Sequence, residues 1–586
     1  MPLALYTKRV RDALKQPVAF GPDLFLLALV GAVTGIVVVS AGQLTAPYQE
    51  VTAIDLSLAS LPRYTLLSLS RGFAAYALSL VFTLVYGTIA AHSRRAERLM
   101  IPALDVLQAI PVLGFLPGLV LAMIALFPDR EAGLEVACIL MIFTGQVWNM
   151  TFSFHASLRS IPQSFREVAA VQRLSRWQFF RLVELPSAMI GLVWNSMLSM
   201  AGGWFFLTVN EAFTLGNRDF RLPGVGAYMH EAIEHGDTAA MIAAVAAMIA
   251  MIIFVDQVVW RPLTVWSQRF KLEETAGEEP PQSWVADLLR RSRIYRGFVQ
   301  RLGPGPRPVL HRTGASRLMD RFREGQRYGP IVRSGLRFML FGVGILVMGW
   351  GVWSLLRLLL SLPLSDPVNH EDWAAVALAL LASFLRTSAA VALGAAWAVP
   401  AGVLIGLSPK WSRRLQPVIQ VVASFPAPML FPLVTMLLAF LHVPFTVGCV
   451  VLLLLGAQWY ILFNVIAGAR AIPDEFKEVA AVYRMGGPQR WVRLYLPCVF
   501  PYLVTGLVTA AGGAWNATIV AEYLELRGET FAAFGLGATI NHATAVGNYP
   551  LLAAGVVTMA LSVVLINRLL WKRLYRLAEE RYGLGT

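Results

Sequence analysis

A helix needs roughly 20 apolar residues to cross a bilayer's hydrocarbon layer. Twelve runs in this chain approach or exceed that length. They lie near 24–42, 66–91, 104–127, 134–155, 188–210 and 239–260, and then near 338–362, 374–406, 417–441, 444–466, 499–521 and 551–571. The polar segments between them alternate in charge. Lys8, Arg9, Arg11 and Lys15 precede the first run, Arg94, Arg95 and Arg98 follow the second, and Arg159, Arg166, Arg173, Arg176 and Arg181 follow the fourth. Intervening loops are acidic or mixed, with Asp129, Glu131 and Glu135 in one and Asp366, Glu371 and Asp372 in another. The pattern predicts an all-α integral membrane protein of about twelve transmembrane helices with both termini in the cytoplasm.

Composition agrees. Of 586 residues 57% are hydrophobic and only 14% charged, with mean hydropathy +0.60, against about 25% charged in soluble domains. A net charge of +14 would otherwise suggest nucleic acid. Here the bases fall in alternate loops, so the bilayer is the expected partner and nucleic acid is not. Cys138, Cys449 and Cys498 lie in or beside apolar runs without metal-ligand spacing, so no metal site is expected. The basic N-terminus lacks the form of a short cleavable signal, which leaves the first span to target the chain.

One polar sentence is written twice. "EVAAVQRLSRWQFFRLVELP" runs from Glu167 to Pro186, and "EVAAVYRMGGPQRWVRLYLP" from Glu478 to Pro497. Residues 167–211 and 478–522 align without a gap and are identical at fifteen of forty-five positions. Upstream, Cys138 meets Cys449 in the same register. Before the loop after the third run the offset is four residues larger, pairing Arg71 with Arg386 and Pro102 with Pro417. The chain therefore divides into a first six-span unit (1–265), a polar linker (266–335) and a second six-span unit (336–586), both in one topology. The region 262–337 carries fifteen Arg or Lys against seven Asp or Glu; beside the cytoplasmic leaflet it would face anionic headgroups.

The repeated segment has the makings of a stiff peg. Ile-Pro bends the chain off the fourth span. Ser164 precedes Glu167 by three, the spacing of a capping box, although Glu475 takes the serine's place in the second copy. A short helix with two adjacent alanines follows, small enough for another protein to approach its backbone. Leu-Pro then closes the segment and starts the next span. An amphipathic helix lying on headgroups is the competing reading of one copy; two copies on one face favour a two-fold partner.

The segment resembles the coupling loop of permease subunits in binding-protein-dependent ABC importers, whose pattern is Glu-Ala-Ala, glycine, Leu-Pro. The match rests on Glu167, Ala169, Leu185 and Pro186, and on Glu478, Ala480, Leu496 and Pro497, with Ala170 and Ala481 completing the small pair. The second position is Val168 or Val479, and the family glycine is replaced by Arg173 and Arg484. "SLSRGF" at 68–73, "SFLRTS" at 383–388, and "GVG" and "GLG" after the fifth spans are similar to the nitrate, sulfonate, taurine and bicarbonate branch. The resemblance implies a type I importer-like fold and an inner-membrane channel in bacteria. It also implies two separate ATP-binding subunits on the coupling loops and a periplasmic solute-binding protein opposite them. The chain would carry no cofactor, ATP and magnesium belonging to the partners. No Gly-x-x-x-x-Gly-Lys-Ser/Thr loop occurs, and none of the six lysines follows such a glycine. A twelve-helix, ion-coupled secondary carrier is the alternative class, but its elaborate loop would follow the second span of each half.

Several polar residues are candidates for the translocation path or gate: Arg71, Arg386, Asn195, Glu211, Asn516, Thr518 and Glu522. The competing readings are arginines snorkelling to headgroups and acids simply solvated at the membrane edge.

Overall fold

The computed structural model describes residues 20–45, 53–109, 112–128, 130–215, 218–270, 283–294, 342, 346, 349–365, 371–526 and 528–582. The basic N-terminal residues, Asp129, Asp366 and most of the linker lie outside them.

The chain forms two compact units. The smaller comprises 1–34 and 283–362, the larger 35–282 and 363–586. In the smaller unit the start of helix Phe20–Thr45 packs on the short helix Trp284–Arg291, with the Phe25 and Trp284 rings 6.1 Å apart. Asp23 accepts bonds from Ser292 Oγ at 2.6 Å and Ile294 N at 3.2 Å. This part of the linker is therefore folded, where the sequence suggested a segment hanging free.

In the larger unit the repeat is visible element by element. Among the described residues eight helices are long and apolar enough to span a membrane. They are Leu61–His92, Ala132–Arg159, Arg176–Asn210 and Thr238–Phe270, then Trp373–Leu407, Phe445–Arg470, Gly487–Ala521 and Tyr549–Tyr582. The third run of the first half falls into Arg94–Ala109, Val112–Phe115 and Leu116–Leu126, and that of the second half is bent. In the second half Pro409–Ser424 and Ala427–Phe440 meet at 81°. Pro426 explains the break, since it forces Phe425 out of helical backbone to φ −72°, ψ 131°. The expected twelve thus resolve, within the described residues, into eight spans plus bent or partly described segments.

Two features were absent from the sequence reading. After each fifth span the chain makes a small antiparallel hairpin, Ala212–Leu215 with Arg218–Arg221 and Tyr523–Leu526 with Glu529–Ala532. Each fifth and sixth span also contains a π-turn: Phe180–Glu184, Asp256–Trp260, Trp491–Tyr495 and Asn567–Trp571. The first of these corrects the expected end of the coupling segment. Leu185-Pro186 does not break the chain; a helical path runs from Arg176 to Asn210. Proline clashes with the carbonyl four residues back in an α-helix. The wider π-turn, closed by the Leu185 amide on the Phe180 carbonyl, relieves that clash.

The halves meet inside this unit. Val112 N donates to Asn516 Oδ1 at 3.4 Å, and Gln420 Nε2 approaches Met197 Sδ at 2.8 Å.

Candidate functional site

Each repeated polar segment is built from two short helices at a sharp corner. The first, Gln163–Val171 or Asp474–Val482, starts after an extended proline, Pro162 or Pro473. No side chain caps either helix, so the expected Ser164–Glu167 box does not form: helix begins at Gln163, which leaves Ser164 inside it. The box sits eleven residues on. Ser175 N donates to Gln178 Oε1 at 2.8 Å, and Gln178 N donates to Ser175 Oγ at 3.2 Å.

Arg173 and Arg484 turn the corner with φ +48° and +49°. Arg173 N bonds Ala170 O and Leu174 N bonds Ala169 O, each at 3.0 Å; Arg484 and Met485 repeat the pair onto Ala481 and Ala480. This is the Schellman ending, which places one residue in left-handed backbone, a conformation that glycine adopts freely. The arginines therefore hold the position of the family glycine in glycine's own conformation. An L side chain there costs roughly 1–2 kcal/mol.

The helix faces also correct the expected role of the alanines. Ala169 and Ala480 are buried, 7% and 3% exposed, against their own chain. Ala480 belongs to an apolar cluster with Ile472, Leu494 and Ala469. Glu167, Ala170 and Val171 are exposed and, at spacings of three and four, share a face; Glu478, Ala481 and Val482 do the same. Val171 and Val482 are 84% and 79% exposed, and Phe165 and Phe476 also stand exposed. This exposed apolar margin was missed in the sequence. Leu185 and Leu496 follow the π-turns at the base of the fifth spans.

The charged candidates cluster at the opposite ends of the fifth spans. Arg71 donates twice to Glu135 (Nε to Oε2 and Nη2 to Oε1, both 2.7 Å), once to Glu211 Oε1 at 2.7 Å and once to Pro223 O at 2.9 Å. Ser68 Oγ donates to Glu211 Oε1 at 2.6 Å and receives Val225 N; Gly226 N completes the carboxylate at 2.7 Å. A Cβ at Gly226 would collide with the Thr208 carbonyl, so glycine at the end of the "GVG" motif is needed for this approach. Glu211 is fully buried and the Arg71 side chain 2% exposed. Neither a solvated acid nor a snorkelling arginine describes them.

The second copy repeats the clamp with fewer partners. Arg386 donates to Glu522 Oε1 at 2.8 Å and to Phe534 O at 2.7 Å, while Ser383 Oγ and Gly537 N hold the same carboxylate. Glu135 has no counterpart, since Thr446 stands in its place.

The remaining candidates scatter. Asn195 bonds Ser153 Oγ and Gly191 O within the first half. Asn516 reaches across to Val112. Thr518 is fully buried with its hydroxyl on Trp515 O, 2.7 Å away in its own helix.

A duplicated bundle of membrane helices, each copy presenting a rigid polar corner, defines the class of membrane permease. Sequence comparison then gives the family. Residues 83–259 and 398–582, more than half of the chain, match the binding-protein-dependent transport system inner membrane component, and the chain belongs to that family in two copies. It is 29% identical over 151 residues to the nitrate import permease protein of Synechococcus elongatus, covering 26% of this chain and 53% of that one. It is 30% identical over 142 residues to the bicarbonate transport system permease protein of the same species, covering 24% and 50%. A putative aliphatic sulfonates transport permease protein of Bacillus subtilis is 28% identical over 142 residues, covering 24% and 50%. The chain thus spans about half the length of these curated relatives.

Proposed function

We propose that this chain supplies both halves of the channel of an ATP-driven importer. It passes a small anionic solute from a periplasmic binding protein to the cytoplasm, and two separate ATP-binding subunits drive it. The carrying observation is the pair of coupling corners. Two helices of the same length, ending in the same left-handed arginine and exposing the same Glu-Ala-Val face, suit two copies of one partner. Closure of that pair would move the halves against each other as rigid bodies. The coupling corners and both termini are cytoplasmic in this reading, and the Arg71 and Arg386 clamps lie toward the periplasm, in a bacterial inner membrane. An anionic solute is supported by the nitrate, bicarbonate and sulfonate in the relatives' names. Arg71 and Arg386 do not support it, because their charge is committed to carboxylates. Their role here is to hold the outer hairpins on the bundle, not to line the path; Asn195 and Asn516 remain the path candidates.

The test is reconstitution in liposomes with both partners. One copy of this chain should assemble with two ATP-binding subunits by native mass measurement. Glu167→Ala with Glu478→Ala, or Ala481→Trp at the exposed face, should uncouple transport from ATP hydrolysis without unfolding the bundle. Full transport in the double variant, or transport without any ATPase, defeats the reading.

A further inference from the structure

Where the third segment of one half meets the sixth span of the other, the repeat builds one corner twice, and the two corners differ. A π-turn interrupts the sixth span at each. The amide five residues on closes it, Arg261 onto Asp256 O and Lys572 onto Asn567 O, so side chains five apart come one above the other. In the first copy this brings Arg261 Nε to 3.1 Å from Asp256 Oδ2, and Gln257 Nε2 reaches the same oxygen at 3.0 Å. The residue opposite is neutral Gln420, already on Met197. What remains between Asp256, Trp260, Gln420 and Ser424 is a cavity of about 20 Å³.

The second copy has the charges rearranged. Asn567 lies one π-turn below Lys572, so the in-helix ion pair cannot form. The acid comes instead from the other half, as Asp105, which aligns with Gln420. Asp105, Asn567, Arg568 and Lys572, with Ile101, Pro102 and Val564, line a cleft of about 100 Å³. Asp105 accepts from Gln108 on its own helix; among the described residues neither base pairs with it. Leu561 and Leu565, one α-turn apart, and Leu569 inside the π-turn beside Arg568 are 64%, 56% and 52% exposed and make a stripe along the helix that leads to the two bases. The corner lies at the coupling end of the bundle: the Tyr582 ring packs tilted against Phe500, just past Leu496-Pro497, with centroids 4.9 Å apart.

We propose that this cleft binds the headgroup of a zwitterionic phospholipid, phosphatidylethanolamine. Asp105 takes the ammonium, Arg568 and Lys572 take the phosphate, and the acyl chains follow the leucine stripe. An acid facing two bases across a cleft matches a ligand carrying both charges, and a purely anionic headgroup would meet Asp105 as a like charge. The lipid would bridge the third segment of one half to the sixth span of the other, the two parts that must slide when the halves rock.

The test is native mass spectrometry of the delipidated full chain offered phosphatidylethanolamine or phosphatidylglycerol with the same acyl chains. The chain should retain the first preferentially. Asp105→Asn should abolish the preference. Asn567→Asp, which copies the ion pair of the first corner, should lower retention roughly tenfold, as expected for losing a charge-assisted contact. Both replacements conserve size, and monodisperse elution checks folding. Equal retention of the two lipids by the unaltered chain, or an unchanged preference in Asp105→Asn, overturns the proposal. Displacement of the lipid by an equal concentration of soluble phosphoethanolamine overturns its assignment to a membrane lipid.

Discussion

The two halves share a backbone plan, but at the coupling end the first half sets polar side chains against each other at positions where the second packs apolar ones. At the coupling end of the first half, His92 Nε2 lies 3.0 Å from Glu184 Oε1, and Glu97 faces both His155 and Arg159 at 3.4 Å. His92, Glu184 and His155 align with Leu407, Tyr495 and Ile466, which lie in or against one apolar cluster, while Glu97 and Arg159 align with Ser412 and Arg470. At the outer end Arg71 is shared by two buried acids, whereas Arg386 has one and a more open surface. The two copies share their geometry and differ in their chemistry. A buried ion pair and an apolar contact of similar volume can be nearly equivalent in stability, but removing one partner of the ion pair is costly. The halves should therefore tolerate damage unequally.

The largest expected difference is at the outer clamp. Arg71→Met strands two buried carboxylates, one of which, Glu135, has both its oxygens on that arginine. It should cost about 3–5 kcal/mol. Arg386→Met strands only Glu522, which keeps Ser383 and Gly537 as donors, and should cost clearly less. Thermal unfolding in detergent measures both; equal losses would show that Glu135 contributes nothing.

The coupling end gives a smaller effect. His92→Leu leaves Glu184, 3% exposed, without its partner, at about 1–3 kcal/mol. Adding Glu184→Tyr copies the second half and should recover most of the loss. A double variant no more stable than His92→Leu alone would mean that the pair does not fasten the first coupling corner.

The smallest effect should be common to both halves. Arg173→Gly and Arg484→Gly relieve the left-handed backbone and should each stabilise by about 1 kcal/mol, while the corresponding alanine variants should not. A gain in only one half would break the geometric equivalence of the two corners.

Much of this was legible in the chain. The length of apolar runs located the described spans, and the ungapped repeat from 167 to 211 and 478 to 522 located both coupling segments. Arg71, Glu211, Arg386 and Glu522 could be singled out as charges beside apolar runs. Nothing in the linear pattern could pair them, since Arg71 and Glu211 lie 140 residues apart and meet only once the second and fifth spans pack. The inward turn of Ala169 and Ala480 was equally hidden, as adjacent alanines carry no sign of which one faces the bundle. The replacement of the family glycine by arginine left the backbone at that corner open, and the Schellman bonds show it left-handed. The π-turns and the four-residue strands of the hairpins are too short to leave a period in the sequence. Sequence thus determined which segments are apolar enough for a bilayer and that the pattern is written twice, because partition into lipid depends on summed local hydrophobicity. Tertiary packing decided which charges neutralise each other and which corner was left open, because those depend on distances that local sequence does not encode.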